Sequence, residues 1–172
     1  MTSVVKRIEP RTSRAQNLLE EQVGNEFTSA QQYLALAVWF DQRDLPRLAA
    51  YFYDRAGKKR DHAMKIVRYM MDNNIAVEIP AVPTVRNEFG DPRELVALAV
   101  EQESEVTREV TTLSKTAREE GDYLAEQFMQ WFLHEQVEES SRISSLLNVI
   151  DRSEGNMFDV ETFLSREDLR GS

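Results

Sequence analysis

Apolar residues recur at helical spacing through four long stretches of this chain, and only one of the connections between those stretches is long. Local punctuation marks where each helix starts and stops. Thr12 and Ser13 offer N-caps, and an unbroken helical pattern then covers 14–41. Asp44-Leu45-Pro46 opens a second helix over 45–73. Asp91-Pro92-Arg93-Glu94 combines a cap, a proline at the first helical position and a glutamate able to close a capping box. A third helix therefore spans 92–120 and stops at Gly121. A fourth covers 122–153 and is broken by Glu154-Gly155-Asn156, and Met157 to Leu169 reads as a short fifth. No alternating strand pattern competes with these, so the class is all-α.

The long connection, residues 74–91, carries Pro80, Pro83 and Gly90. A helix of about 28 residues is roughly 42 Å long, and about 18 extended residues reach roughly 59 Å. This segment can run the whole length of a bundle, whereas the short links require antiparallel hairpins. Two hairpins joined by one long crossover make a four-helix bundle that is not a simple up-down-up-down one. A loop of this length would otherwise count against the assignment.

At 172 residues the chain is expected to form a single domain, 1–172. It has no cysteine, which excludes a disulfide framework and thiolate chemistry. The net charge of −9 argues against a nucleic-acid partner and suits a protein that attracts cations. No stretch approaches the ~20 apolar residues that span a bilayer, so no membrane is involved. Met1 to Arg11 has no apolar segment of the kind that directs secretion, and the expected location is cytoplasmic.

The buried stripes carry the functional information. They read Leu19, Val23, Glu26, Ala30, Tyr33, Ala37 in the first helix and Leu48, Phe52, Lys59, His62, Ile66, Met70 in the second. The third gives Val96, Ala99, Glu103, Val106, Val110, Leu113. The fourth gives Leu124, Phe128, Phe132, Gln136, Glu139, Ile143, Leu146. Each stripe is apolar except near its middle, and helix midpoints share one height in a bundle. Glu26, Lys59, His62, Glu103, Gln136 and Glu139 are therefore expected in one buried polar layer. Burying three carboxylates together is costly unless cations offset them. A di-iron centre in a bundle takes one glutamate from each of two helices and a Glu-x-x-His pair from each of the other two. Glu26 and Glu103 fit the single positions, and His62 with Gln136 and Glu139 the paired ones. Lys59 stands where the glutamate three residues before His62 is expected. A metal-free cluster of salt bridges is therefore the competing account of this layer.

The segments Asn25-Glu26-Phe27-Thr28-Ser29-Ala30-Gln31-Gln32-Tyr33, Val85-Arg86-Asn87-Glu88-Phe89, Glu126-Gln127-Phe128-Met129-Gln130-Trp131-Phe132 and Glu135-Gln136-Val137-Glu138-Glu139 resemble the non-haem bacterial ferritins, closely the actinobacterial kind. The resemblance extends over about residues 14–166. It implies the ferritin-like four-helix bundle with a short C-terminal fifth helix, a hollow homo-oligomeric shell of 24 subunits, and ferric oxyhydroxide stored inside it. It also implies iron as the metal, Fe(II) arriving and Fe(III) retained. By position, Glu26 and His62 resemble ligands of the first iron, and Glu103, Gln136 and Glu139 the set around the second. Tyr33 resembles the tyrosine that works beside the centre, and Trp131 the neighbouring tryptophan. Glu135 and Glu138 resemble members of an accessory iron site.

The departures are Lys58 and Lys59, where the family usually carries two glutamates. Lys59 replaces the carboxylate bridging the two irons, and Lys58 an accessory ligand. The vertebrate ferritin light chain, which builds shell without an oxidation centre, shows a similar lysine. Three readings follow from this. The first is a storage subunit with an impaired ferroxidase centre and weakly held central iron, co-assembling with a ferroxidase-competent sister. The second is a working ferroxidase in which Lys59 swings aside. The third is a shell or scaffold that has left iron behind, which has no need to keep His62 and Gln136.

Overall fold

The structure is a computed structural model describing residues 7–170. Its helices are α1 (Arg14–Asp41), α2 (Pro46–Asp72), α3 (Pro92–Glu119), α4 (Tyr123–Arg152) and α5 (Met157–Arg170), with ends within about a residue or so of the expected ones. Ser13, Asp91 and Asp122 cap α1, α3 and α4, each accepting from the backbone N–H three residues on. Glu94 does not close the capping box on Asp91; its carboxylate takes the N–H of Gly90 at 2.8 Å. Leu45 gives α2 no side-chain cap. The first-turn N–H groups of Arg47 and Leu48, which have no intrahelical acceptor, instead donate to Glu161 of α5, at 3.0 and 2.9 Å. A carboxylate from the chain's far end thus meets the positive end of the α2 dipole.

The crossover runs the length of α1. It begins where Glu9 and residues 74–76 exchange backbone hydrogen bonds, and it ends with Phe89 edge-on to Trp39 at 6.4 Å. Between these points Glu78 N–H donates to Glu20 at 2.7 Å, and Gln32 and the Arg86 backbone bond reciprocally at 2.7 and 2.9 Å. Gly24 lets Pro80 lie flat on α1, since a Cβ there would stand 3.2 Å from Pro80 Cγ. The crossover therefore delivers α3 to the end of the bundle where α1 finishes, so α3 runs parallel to α2 and antiparallel to α1.

Two large apolar clusters fill the bundle, one on each side of its middle, and among the described residues Ala15, Ala117 and Ala125 form a small third. Phe40, Phe52, Leu95, Leu146 and Ile150 belong to one, which Val160 and Leu164 of α5 close. Leu19, Val23, Ile66, Met70, Val110, Met129 and Phe132 belong to the other. The expected stripes are buried with corrections. Ala30 is only half-buried, and on α4 the buried side chains are Ala125 and Met129, not Leu124 and Phe128. Counting back from Phe132, about seven residues return almost to the same face, while about eight overshoot by most of a right angle. Leu124 therefore points to solvent, and Phe128 stacks on Tyr69 at 4.1 Å. On α5, Val160 is covered and Phe158 is 84% exposed. Among the described residues no helix is long and apolar enough to cross a membrane.

Candidate metal centre

The layer between the two clusters is polar, and α2 contributes most to it. Glu26 of α1, Arg55, Lys59 and His62 of α2, Glu103 of α3, and Gln136 and Glu139 of α4 are all buried. On α2 the sequence 48, 52, 55, 59, 62, 66 advances by alternating fours and threes, the rhythm of a single helix face.

Glu103 is the hub of this layer. One of its oxygens accepts from Lys59 Nζ at 3.0 Å and from Gln136 Nε2 at 2.7 Å. The other accepts from the Tyr33 hydroxyl at 2.6 Å. Gln136 Nε2 also reaches the Glu103 carbonyl at 2.9 Å. Glu26 accepts from Gln22 through Oε1 at 3.1 Å, while its Oε2 has no hydrogen-bond partner. That oxygen lies 3.7 Å from His62 Nδ1 and 3.9 Å from Lys59 Nζ. Glu139 is held by Arg55 in a buried ion pair.

Three buried carboxylates thus face two cations, Lys59 and Arg55. Pairing of this kind is what makes the layer tolerable in a low-dielectric interior, where a lone charge is expensive. Burial pushes the Glu26 carboxyl up, but Lys59 and the His62 and Gln22 contacts outweigh it and hold the group below its ordinary value. Burial pulls the Lys59 ammonium down, but Glu26 and Glu103 outweigh it and hold it above its ordinary value. Burial and the neighbouring Glu103 raise the Tyr33 phenol well above its ordinary range, so it stays a donor. Among the described residues no three histidine, aspartate or glutamate side chains are grouped so as to hold a metal ion. The donor types of a two-iron site are present, but Lys59 Nζ stands among them, and the set as it stands does not fit a pair of divalent cations.

The remaining candidates lie outside the layer. Trp131 is 37% exposed, edge-on to His62 at 5.3 Å and carrying Lys65 on its face at 3.9 Å. Lys58 is half-exposed and pairs with Asp54, one turn away, at 3.3 Å. Glu135 is half-buried and Glu138 exposed, and no ion pair among the described residues joins either of them to Lys58. Arg55 is the member that the sequence reading passed over. Its signal was the empty step of seven between Phe52 and Lys59 on an otherwise regular stripe, which position 55 fills.

Comparison with known proteins speaks to the family and the fold. A family model described as a ferritin-like domain matches residues 16–153. Ferritin BfrB of Mycobacterium tuberculosis is 53% identical over 150 residues, covering 87% of this chain and 83% of that protein. A bacterial non-heme ferritin of Staphylococcus aureus is 35% identical over 141 residues, covering 80% and 85% respectively. An open-pore ferritin from the hyperthermophilic archaeon Archaeoglobus fulgidus superposes with a TM-score of 0.86 over 90% of this chain and 96% of its own, at 23% identity. That last likeness concerns the fold.

Proposed function

The chain belongs to the ferritin family, and from that premise we propose that it is an iron-storage subunit whose own oxidation centre is impaired. The observation that carries the second half is Lys59, buried in the central layer with its ammonium 3.0 Å from Glu103. A bridging carboxylate would hold two cations together and offset their mutual repulsion. A lysine in its place changes the local charge by two units. At ~4 Å and an effective dielectric of ~20, one such repulsion is worth about 4 kcal/mol, or roughly a thousandfold in metal affinity. Glu26, His62, Glu103, Gln136 and Glu139 are retained as ligand-type residues, with Tyr33 beside them, while Lys58 withdraws a carboxylate from the accessory pair Glu135 and Glu138.

On this reading the protein builds a homo-oligomeric shell of 24 subunits in the cytoplasm. It retains iron as ferric mineral and leaves rapid oxidation to a ferroxidase-competent ferritin in a mixed shell. Large exposed apolar side chains support an assembly: Val137, Tyr123, Leu124 and Phe158 are each more than half exposed in the single chain. A stable monomer as the only species in light scattering would refute the shell. For the centre, the test is Fe(II) oxidation under O₂ by the purified homo-oligomer, at about two irons per subunit, the occupancy of a di-iron site. Wild type is expected to match a His62→Ala variant, because a layer closed by cations contributes little to the rate. A loss of about tenfold or more on His62→Ala would show a working centre and overturn the reading.

A further inference from the structure

Restoring a carboxylate at position 59 is the obvious repair, and the geometry shows why it is incomplete. The two buried cations share no hydrogen-bond or ion-pair partner. Lys59 hydrogen-bonds Glu103 and lies within ion-pair range of Glu26, whereas Arg55 pairs with Glu139. They sit one turn apart on α2 and divide the three carboxylates between them. We infer that Arg55 is a second resident cation, occupying Glu139 as Lys59 occupies Glu103, and that the layer admits divalent metal only when both are removed. The inference rests on reading this layer as a metal centre filled by cations.

The surroundings of Arg55 make the attachment specific. Its Nε has no hydrogen-bond partner, and its guanidinium lies 5.0 Å over the Tyr51 ring, so the buried carboxylate it is tied to is Glu139. A guanidinium does not lose its proton at any pH a protein tolerates, so metal cannot displace this charge by deprotonating it. Arg55 also lines a cavity of about 880 Å³ between α2, α4 and α5, whose wall includes Tyr51, Ser141 and Arg142. It therefore stands between open space and the carboxylate that a metal would need. Glutamate at position 59 would place a further anion one turn from Arg55 and hold the guanidinium more firmly. Lys59→Glu alone frees Glu26 and Glu103 but leaves Glu139 tied.

The test uses Co²⁺, which reports binding without turnover, on the assembled full chain by calorimetry and visible absorption. Wild type, Lys59→Glu, Arg55→Gln, the double variant, and Lys59→Glu with Arg55→Lys are compared. The double variant is expected to bind Co²⁺ about tenfold or more tighter than either single change, with the absorption of carboxylate-bound cobalt. Lys59→Glu with Arg55→Lys should behave like Lys59→Glu, since the cation is kept; a purely packing role for Arg55 would not give that ordering. If Lys59→Glu alone reaches the affinity of the double variant, Arg55 is not a second lock, although the impaired-centre reading survives. If wild type already binds as the double variant does, both fail. Lys59→Gln with and without Arg55→Gln repeats the comparison without added carboxylates, should the double variant not fold. There too, binding gained without the Arg55 change overturns the inference.

Discussion

Lys58 and Lys59 are neighbours on α2, yet they belong to two regions with different physics. Lys59 lies in the central layer with its side chain 2% exposed, in contact with a carboxylate that three groups share. Lys58, about 100° further around the helix, is 42% exposed and paired with Asp54, which is 61% exposed itself. The charge is the same, but the surroundings decide its role. In the layer each cation is the condition on which a buried carboxylate is tolerated, and removing it leaves a desolvated anion. On the surface, water and salt replace a lost partner almost completely. The two lysines that stand at expected glutamate positions should therefore differ by several kcal/mol in what they contribute to the fold.

The largest effect that could break this contrast is Lys59→Ala. Stranding Glu103 and Glu26 without their shared cation should cost about 3–5 kcal/mol of apo-protein stability, read from the urea midpoint. Replacing Lys59 by Met together with Glu103→Gln and Glu26→Gln should recover a good part of that loss, since neither carboxylate that Lys59 served is then left charged and unpaired. A cost for Lys59→Ala below about 1 kcal/mol would mean that the layer is far wetter than its geometry implies.

The same region predicts a pH response whose sign depends on residue 59. Glu26 is held below its ordinary value of 4.5, so its contribution is present above that value and is lost as pH falls through the lower, folded-state value. Lys59 is held above its ordinary value of 10.5, so its contribution is complete below 10.5 and is lost as pH rises through the higher value. Wild type should show a broad plateau between those limits. In Lys59→Glu, four carboxylates share the layer with Arg55 alone, and protonating one of them relieves repulsion. The apo variant should therefore become more heat-stable on mild acidification from neutral pH, where wild type is flat. Melting curves of both proteins across the acid range check this, and parallel curves would refute it.

A half-buried charge should fall between the two lysines. Glu161 accepts the Arg47 and Leu48 N–H groups at the uncapped start of α2. Glu161→Ala should cost about 1 kcal/mol, the usual value of a lost N-cap, and loosen α5 first. Faster amide exchange at Arg47 and Leu48, with the central layer unchanged, is the expected signature.

These contrasts also mark how far the sequence could be read. The helices were legible because most starts and stops carry local chemistry: Ser13 and Asp91 as caps, Pro46 and Pro92 in the first turns, Gly121 with φ 73° and Gly155 with φ 89° at the ends. The polar layer was legible because a charge in the middle of an apolar stripe has few explanations. The start of α4 was misphased because Leu124 and Phe128 are large and apolar, whereas Ala125, which faces the core, is small and carries little signal. Arg55 was passed over because an arginine next to Asp54 and three residues before Lys58 looks like a surface residue unless the stripe is counted strictly. Glu161 could not have been found, since nothing local connects it to a helix start more than a hundred residues earlier.

The smallest expected effect is on the exposed side, and it tests whether the single chain is the right frame for it. Lys58→Ala removes one surface ion pair at helix spacing, for which about 0.3–0.5 kcal/mol is usual. Lys58→Glu reverses the charge and adds a carboxylate beside Asp54, a like-charge pair one turn apart that destabilises by a similar amount. Both changes should shrink further in high salt, because at about 1 M the screening length falls to about 3 Å, comparable with the separation of this exposed pair. Urea midpoints of wild type and the two variants at low and high salt make the comparison. Should Lys58→Ala instead cost as much as Lys59→Ala, with no salt dependence, Lys58 would have to be buried in the assembled protein against another copy of the chain. The face of α2 that carries it would then be an interface, and the contrast drawn from the isolated subunit would not hold in the shell.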